Sequence, residues 1–207
     1  MNKTPHFSMI RGFHLADWFT MANAFCGMGA VLIAMAYLSG ENPNGLLWGA
    51  ALVPVAFAFD VLDGRIARWR QTQSALGREL DSLADVISFG VAPAALGFAA
   101  GLNGMWDAAV LVYFVACGVS RLARYNITAE ALAADASGKV KYFEGTPIPT
   151  SVVLVGIVAL AAWRGHTGAA IWFGAWQLGP AVLHPLVLLY ALSGSLMISK
   201  TIHIPKL

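Results

Sequence analysis

Charge is what this sequence has least of. Only 12% of its residues are charged and 58% are hydrophobic, whereas a soluble domain carries about 25% charged residues. So few charges cannot clothe a water-exposed globule of 207 residues, which excludes an ordinary soluble domain. Cysteine is nearly absent. Cys26 and Cys117 both fall inside apolar runs, where they read as small core residues and not as a disulfide framework or a metal site. The five histidines are scattered with no pair at ligand spacing, so they read as structural or interfacial. A net charge of +2 gives no electrostatic case for a nucleic-acid partner. There is no internal repeat, low-complexity tract or soluble domain, and residues 1–207 read as a single membrane domain. A short polar leader, residues 1–14, carries Lys3, Pro5, His6, Arg11 and His14. No small-residue cleavage site follows a brief apolar stretch, so the first apolar run reads as a retained helix.

What the chain has in abundance is apolar runs near the 20 residues that a bilayer-crossing helix needs. The expected fold is an all-α integral membrane protein with six transmembrane helices, over residues 15–38, 46–68, 78–101, 105–123, 149–163 and 180–199. Turn chemistry at 39–45 and 101–104, rich in Gly, Asn and Pro, separates the first spans. Residues 165–179, with Ile171, Trp172, Phe173 and Trp176, read either as an interfacial aromatic belt or as an extension of the fifth helix. With these spans, every one of the 13 basic residues except Arg164 falls on one side. That asymmetry places both termini in the cytoplasm. The longest polar connection, 125–145, then also lies there.

Against this apolar background four carboxylates cluster. Asp60 and Asp63 end the second span, and Asp81 and Asp85 begin the third. Acids inside membrane helices are costly and mark functional sites. Helical spacing puts Asp60, Asp63, Gly64, Ala67 and Arg68 on one stripe, and Gly77, Asp81, Asp85 and Ser88 on another. The polar connection 69–76 lets the two helices run antiparallel with these stripes facing. Carboxylates so placed repel, and divalent cations with a taste for hard oxygen ligands, Mg²⁺ or Mn²⁺, relieve the repulsion. A two-metal cluster of this kind suits phosphoryl chemistry. Gly64 and Ala67 leave room for a bulky diphosphate, Gly77 gives the same clearance on the facing helix, and Arg68 offers a fork of donors to phosphate. A buried ion-pair network is the structural alternative, but four acids against one arginine on the stripe leave it unbalanced.

These residues fill every fixed position of Asp-x2-Asp-Gly-x2-Ala-Arg-x8-Gly-x3-Asp-x3-Asp. The string resembles the signature of the CDP-alcohol phosphotransferases. Eight fixed residues coincide by chance on the order of 10⁻¹⁰ per starting position, so the resemblance is specific. It implies that Asp60, Asp63 and Asp81 hold the metals with help from Asp85. It also implies that Asp85 is the general base for the acceptor hydroxyl, that CMP leaves, and that the protein is a homodimer. Asp17, Thr20 and Asn23 resemble a first-helix element of serine-using members that borders the nucleotide. Asp17 stands where Asn is usual and Ala16 where Pro is usual, so Asp17 reads equally as a helix cap.

Several further stretches resemble the serine-using branch. They are residues 80–93, in which Val86 and no basic residue follows the last Asp, and then 121–126, 143–149 and 196–200. The implied substrates are CDP-diacylglycerol and L-serine. A zwitterionic acceptor needs a cation for its carboxylate, for which Arg121, Arg124 and Lys141 are candidates. It needs an acceptor group for its ammonium, for which Glu144 is a candidate, and Ser88 is placed to meet its hydroxyl. The competing acceptors are choline, inositol, glycerol 3-phosphate and inositol phosphate. A divalent-cation transporter is the non-enzyme alternative, though transporters place ion sites near the midplane between repeats. Diacyl and archaeal ether donors remain equally compatible. Gly45-x3-Gly49 and Gly97-x3-Gly101 are candidates for close helix packing within or between subunits.

Overall fold

A computed structural model describes residues 14–70, 75–134, 142–199 and 203–205. The described chain is mostly helical. Helix α1 (Leu15–Leu38) and α2 (Gly45–Arg70) form a hairpin around the turn at 39–44. Then come α3 (Ala75–Asp85), a π-helix (Val86–Val91) and α4 (Ala92–Ala100), which together make one continuous rod. Helix α5 (Met105–Ala134), β1 (Tyr142–Glu144), a 3-10 turn (Ile148–Ser151) and α6 (Val152–Trp163) follow. The last elements are the short strands β2 (Trp176–Leu178) and β3 (Ala181–Leu183), a 3-10 turn (Pro185–Val187), α7 (Leu188–Ile198) and β4 (His203–Pro205).

Four stretches are long and apolar enough to cross a membrane: Leu15–Leu38, Gly45–Ile66, Leu76–Ala100 and Met105–Thr128. Two shorter apolar helices, Ile148–Trp163 and Pro185–Ile198, fall short of the about 20 residues that a perpendicular crossing needs. The expected sixth span therefore shrinks. Its first residues, from Pro180, instead turn into β3, which pairs antiparallel with β2 through Trp176↔Leu183 and Leu178↔Ala181. Residues 165–179 do not extend α6, which stops at Trp163. Helix α5 runs past the expected end at 123 because 127–134 is rich in Ala, Leu and Glu, all good helix formers. The connection after it is shorter than the sequence suggested. Its far end, β1, pairs with β4, Glu144 facing His203, so two small strand pairs interrupt an otherwise helical fold.

Small residues set the packing, as expected where lipid leaves no hydrophobic drive between helices. On α1 the buried residues Asp17, Thr20, Asn23, Gly27, Ala30 and Ala34 form a single stripe, polar near the helix start and small deeper in. A Cβ on Gly49 would sit 2.9 Å from Leu96 Cδ2 and 3.3 Å from the Ala30 carbonyl. At Gly97 it would sit 2.7 Å from the Tyr190 hydroxyl, which itself donates to the Pro93 carbonyl at 3.0 Å. Both glycine motifs thus serve contacts within the chain. Gly101 ends α4 with φ 127°, and a Cβ there would meet Gly168 N at 2.8 Å, so both conformation and space call for glycine.

The π-helix has a chemical cause. Pro93 has no N–H to give the Phe89 carbonyl, and its ring crowds that carbonyl. The ladder slips by one residue, and Ala92 N–H bonds the Ile87 carbonyl five residues back. At the bundle end away from the acids, Asp107 is wholly buried. It accepts from Gly104 N–H at 2.9 Å and from His184 N–H at 2.8 Å, and lies 2.5 Å from His184 Nδ1. This buried clamp ties the start of α5 to the chain between β3 and α7.

Candidate active site

The start of α1, the end of α2, the start of α3 and the last turns of α5 meet at one end of the bundle. There the carboxylate oxygens of Asp60, Asp63 and Asp81 lie within 4.8 Å of one another. Asp63 is buried, and Asp60 and Asp81 are half-buried. Asp85, one turn past Asp81, is buried and stands outside that triplet, within the electrostatic field of all three.

The polar stripe of α1 faces these acids. Thr20 Oγ1 donates to Asp63 Oδ2 at 2.7 Å, and Asn23 Nδ2 donates to Asp85 Oδ1 at 3.2 Å. Asp17 is engaged as a cap, its Oδ2 accepting the His14 N–H at 2.7 Å. Ser88 is fully buried, and its hydroxyl donates to the Asn23 carbonyl at 2.9 Å, so it ties the π-helix to α1. Gly27 allows that contact: a Cβ there would come within 2.7 Å of Ser88 Cα and 2.9 Å of Ser88 N. Beside Gly64 no atom of the described residues comes within 4 Å of an added Cβ. Gly77 is half-buried on α3.

From α5, half-buried Arg121 feels the charge of Asp85, and Arg124 follows one turn later. Asn126 holds α5 to α3, its amide donating to Ser82 Oγ at 3.0 Å and Glu79 Oε1 at 3.3 Å. The backbone of Ala67 and Arg68 continues α2 and that of Glu144 lies in β1. The side chains of these three, together with Lys141, lie outside the described residues. The leader residues 1–13 also lie outside the description.

Three carboxylates in this proximity, with Asp81 Oδ1 buried and lacking a hydrogen-bond partner among the described residues, fit a divalent cation. All-oxygen donors suit a hard ion. The site thus belongs to a polytopic helical membrane protein with a cation-ready acidic cluster at one end. Residues 13–183 match the CDP-alcohol phosphatidyltransferase family, and the chain belongs to that family. It is 42% identical over 203 residues to a CDP-diacylglycerol–serine O-phosphatidyltransferase of Saccharomyces cerevisiae, covering 97% of this chain and 74% of the relative. A Helicobacter pylori protein of the same name is 39% identical over 150 residues, 72% of this chain and 58% of its own length. An archaetidylserine synthase of Methanothermobacter thermautotrophicus is 34% identical over 160 residues, 75% of this chain and 62% of its own length. The chain thus spans less than two thirds of the latter two relatives.

Proposed function

We propose that this protein transfers a phosphatidyl group from CDP-diacylglycerol to the hydroxyl of L-serine, forming phosphatidylserine and releasing CMP. The observation that carries the reading is the convergence of Asp60, Asp63 and Asp81, with Asp85 one turn on, in a chain of this family. The relatives' names favour serine over the other alcohols.

In this reading Asp85 serves as the base. Asn23 holds one of its oxygens, leaving the other for the proton of the serine hydroxyl. As that proton moves to Asp85, the serine oxygen forms a bond to the lipid-side phosphorus. The bond from that phosphorus to the bridging oxygen breaks, and CMP carries the electron pair away. Asp60, Asp63 and Asp81, with Asp85 sharing, would hold Mg²⁺ or Mn²⁺, two per site. Such ions, when bound, neutralise the diphosphate charge. Thr20 fixes Asp63. Gly64, Ala67 and Gly77 give the diphosphate clearance, and Arg68 donates to it. Arg121 and Arg124 face the serine carboxylate, with Lys141 and Glu144 as further acceptor-side residues of the reading; Ser88, whose hydroxyl goes to the Asn23 carbonyl, holds the π-helix to α1 instead.

The two short apolar helices complete six crossings in this reading, with both termini and the site facing the cytoplasm across the cell membrane. A homodimer is part of the same reading, and cross-linking in native membranes tests it. The direct test of function offers labelled serine, inositol and glycerol 3-phosphate to the purified full-length protein with CDP-diacylglycerol and Mn²⁺. Serine supports CMP release and labelled lipid; turnover with either of the others at an equal or higher rate overturns the assignment.

A further inference from the structure

Helix α3 is short, and its place is set from outside. It carries Asp81 and Asp85 and packs along α1. It meets α2, the helix of Asp60 and Asp63, at few points among the described residues. The acid triplet therefore spans a gap that packing between its own two helices does not define. A further support comes from α5. Asn126, buried in the last turns of that helix, reaches α3 across 44 and 47 residues of sequence. Its amide donates to Ser82 Oγ at 3.0 Å and to Glu79 Oε1 at 3.3 Å. The Ser82 hydroxyl donates back to Asn126 Oδ1 at 3.3 Å. A carboxylate only accepts, so Nδ2 must face Glu79, and chemistry settles the orientation of the amide. Both N–H groups are then engaged on α3, which leaves Asn126 no donor for a substrate.

Glu79 and Ser82, three residues apart, share the face of α3 turned to α5. Asp81 and Asp85, four apart, share a face about a third of a turn round. Two bonds to one face fix a helix about its own axis, where a single bond would leave a pivot. We propose that Asn126 is a positioning residue for the cation site: it locks the rotation of α3 and so holds Asp81 toward Asp60 and Asp63. The proposal rests on the cation reading above and adds to it a residue that touches neither ion nor substrate. Groups that orient metal ligands from behind are worth about 10–100-fold in ion affinity. Asn126 acts through a helix and not on a carboxylate, so its share falls at the lower end. Asp85 turns with Asp81 but is also held from α1 by Asn23, so loss of the clamp falls first on the triplet.

The test titrates the purified full-length protein in detergent with Mn²⁺ alone and reads the free ion by electron paramagnetic resonance. Thermal midpoints are measured on the same preparations. Asn126→Ala and Ser82→Ala each weaken Mn²⁺ binding, Asn126→Ala by about tenfold. Both cut one clamp, so the double variant binds no more weakly than Asn126→Ala. Glu79→Gln keeps an oxygen for Nδ2 to donate to, and so keeps most of the affinity. In turnover with CDP-diacylglycerol and serine, Asn126→Ala needs about tenfold more Mn²⁺ for its half-maximal rate and keeps the parent KM for serine. Unchanged Mn²⁺ affinity in Asn126→Ala and Ser82→Ala overturns the proposal, as do additive losses in the double variant. A raised serine KM at unchanged ion affinity also overturns it and makes Asn126 an acceptor-side residue. Should Asn126→Ala not fold, Ser82→Ala, which removes a single hydroxyl, decides alone. Parent protein that binds no Mn²⁺ sinks the cation reading and the clamp together. Parent protein that binds it no better than the variants sinks only the clamp.

Discussion

Asn23 and Asp85, 62 residues apart in sequence, meet through an amide-to-carboxylate hydrogen bond of 3.2 Å. One turn earlier on α1, Thr20 holds Asp63 at 2.7 Å. Helix α1 therefore sets the position of one acid from each of the two helices that carry the signature. The first helix is a structural part of the acidic site, and the small residues behind it keep it there.

Two glycines separate packing from substrate clearance. Gly27→Ala drives a methyl into the backbone of Ser88, so α1 and the π-helix must part. The expected result is a lower thermal midpoint together with loss of turnover. Gly64→Ala meets no atom of the described residues within 4 Å, so its thermal midpoint stays within a degree or two of the parent, while the KM for CDP-diacylglycerol rises. A Gly64→Ala protein with unchanged donor KM removes that glycine from the diphosphate path.

On the proposed mechanism Asp85, as the base, differs in kind from the other three acids. Asp85→Asn cuts kcat by about 10²–10⁴-fold, the range for a general base, and leaves donor affinity largely intact. Asp63→Asn loses rate and donor affinity together. Both quantities are measured on the same preparations. Collapse of donor affinity in Asp85→Asn to the level of Asp63→Asn makes Asp85 chiefly a cation ligand.

Far from the site, Asp107→Ala strands the Gly104 and His184 backbone N–H groups and the His184 ring. Leaving buried donors without a partner costs about 1–3 kcal/mol each. Thermal unfolding in detergent therefore shifts strongly downward, while activity per folded molecule is retained. Equal loss of activity at unchanged stability would give this clamp a role in the reaction.

The proposed topology, read from the basic residues, is open to cysteine labelling. In a background with Cys26 and Cys117 replaced, a cysteine introduced at Asn42 reacts with a membrane-impermeant maleimide from outside the cell, and one at Trp69 only after the membrane is opened. The opposite pattern inverts the protein in the membrane.

The parts of this architecture that were legible from sequence are those with local periodicity. The stripe carrying Asp60 and Asp63, and that carrying Asp81 and Asp85, repeat at three- and four-residue spacing, and α1 and α4 end where their turn residues stand. What escaped depends on distant partners or on one residue's chemistry. His184 finds Asp107 across 77 residues, a distance at which no spacing rule applies. The π-helix had a signal in Pro93, whose missing N–H forces a slip, but the direction of the slip depends on packing against α1. Residues 180–183 read as the start of the sixth span because they open an apolar run; pairing with β2 prevailed. At the site, Ser88 shares a face with Asp85 as the spacing implies, yet its hydroxyl is taken by the Asn23 carbonyl.

The central claim is cation-dependent transfer to serine by the acid cluster. The direct measurement is serine-dependent CMP release by the full-length protein after chelator treatment, in metal-free buffer and again with Mn²⁺ or Mg²⁺ restored. The account predicts no turnover without the ion and full recovery with it, and no recovery for Asp60→Asn, Asp63→Asn or Asp81→Asn at the same ion concentration. Full turnover by the chelator-treated protein in metal-free buffer would contradict it.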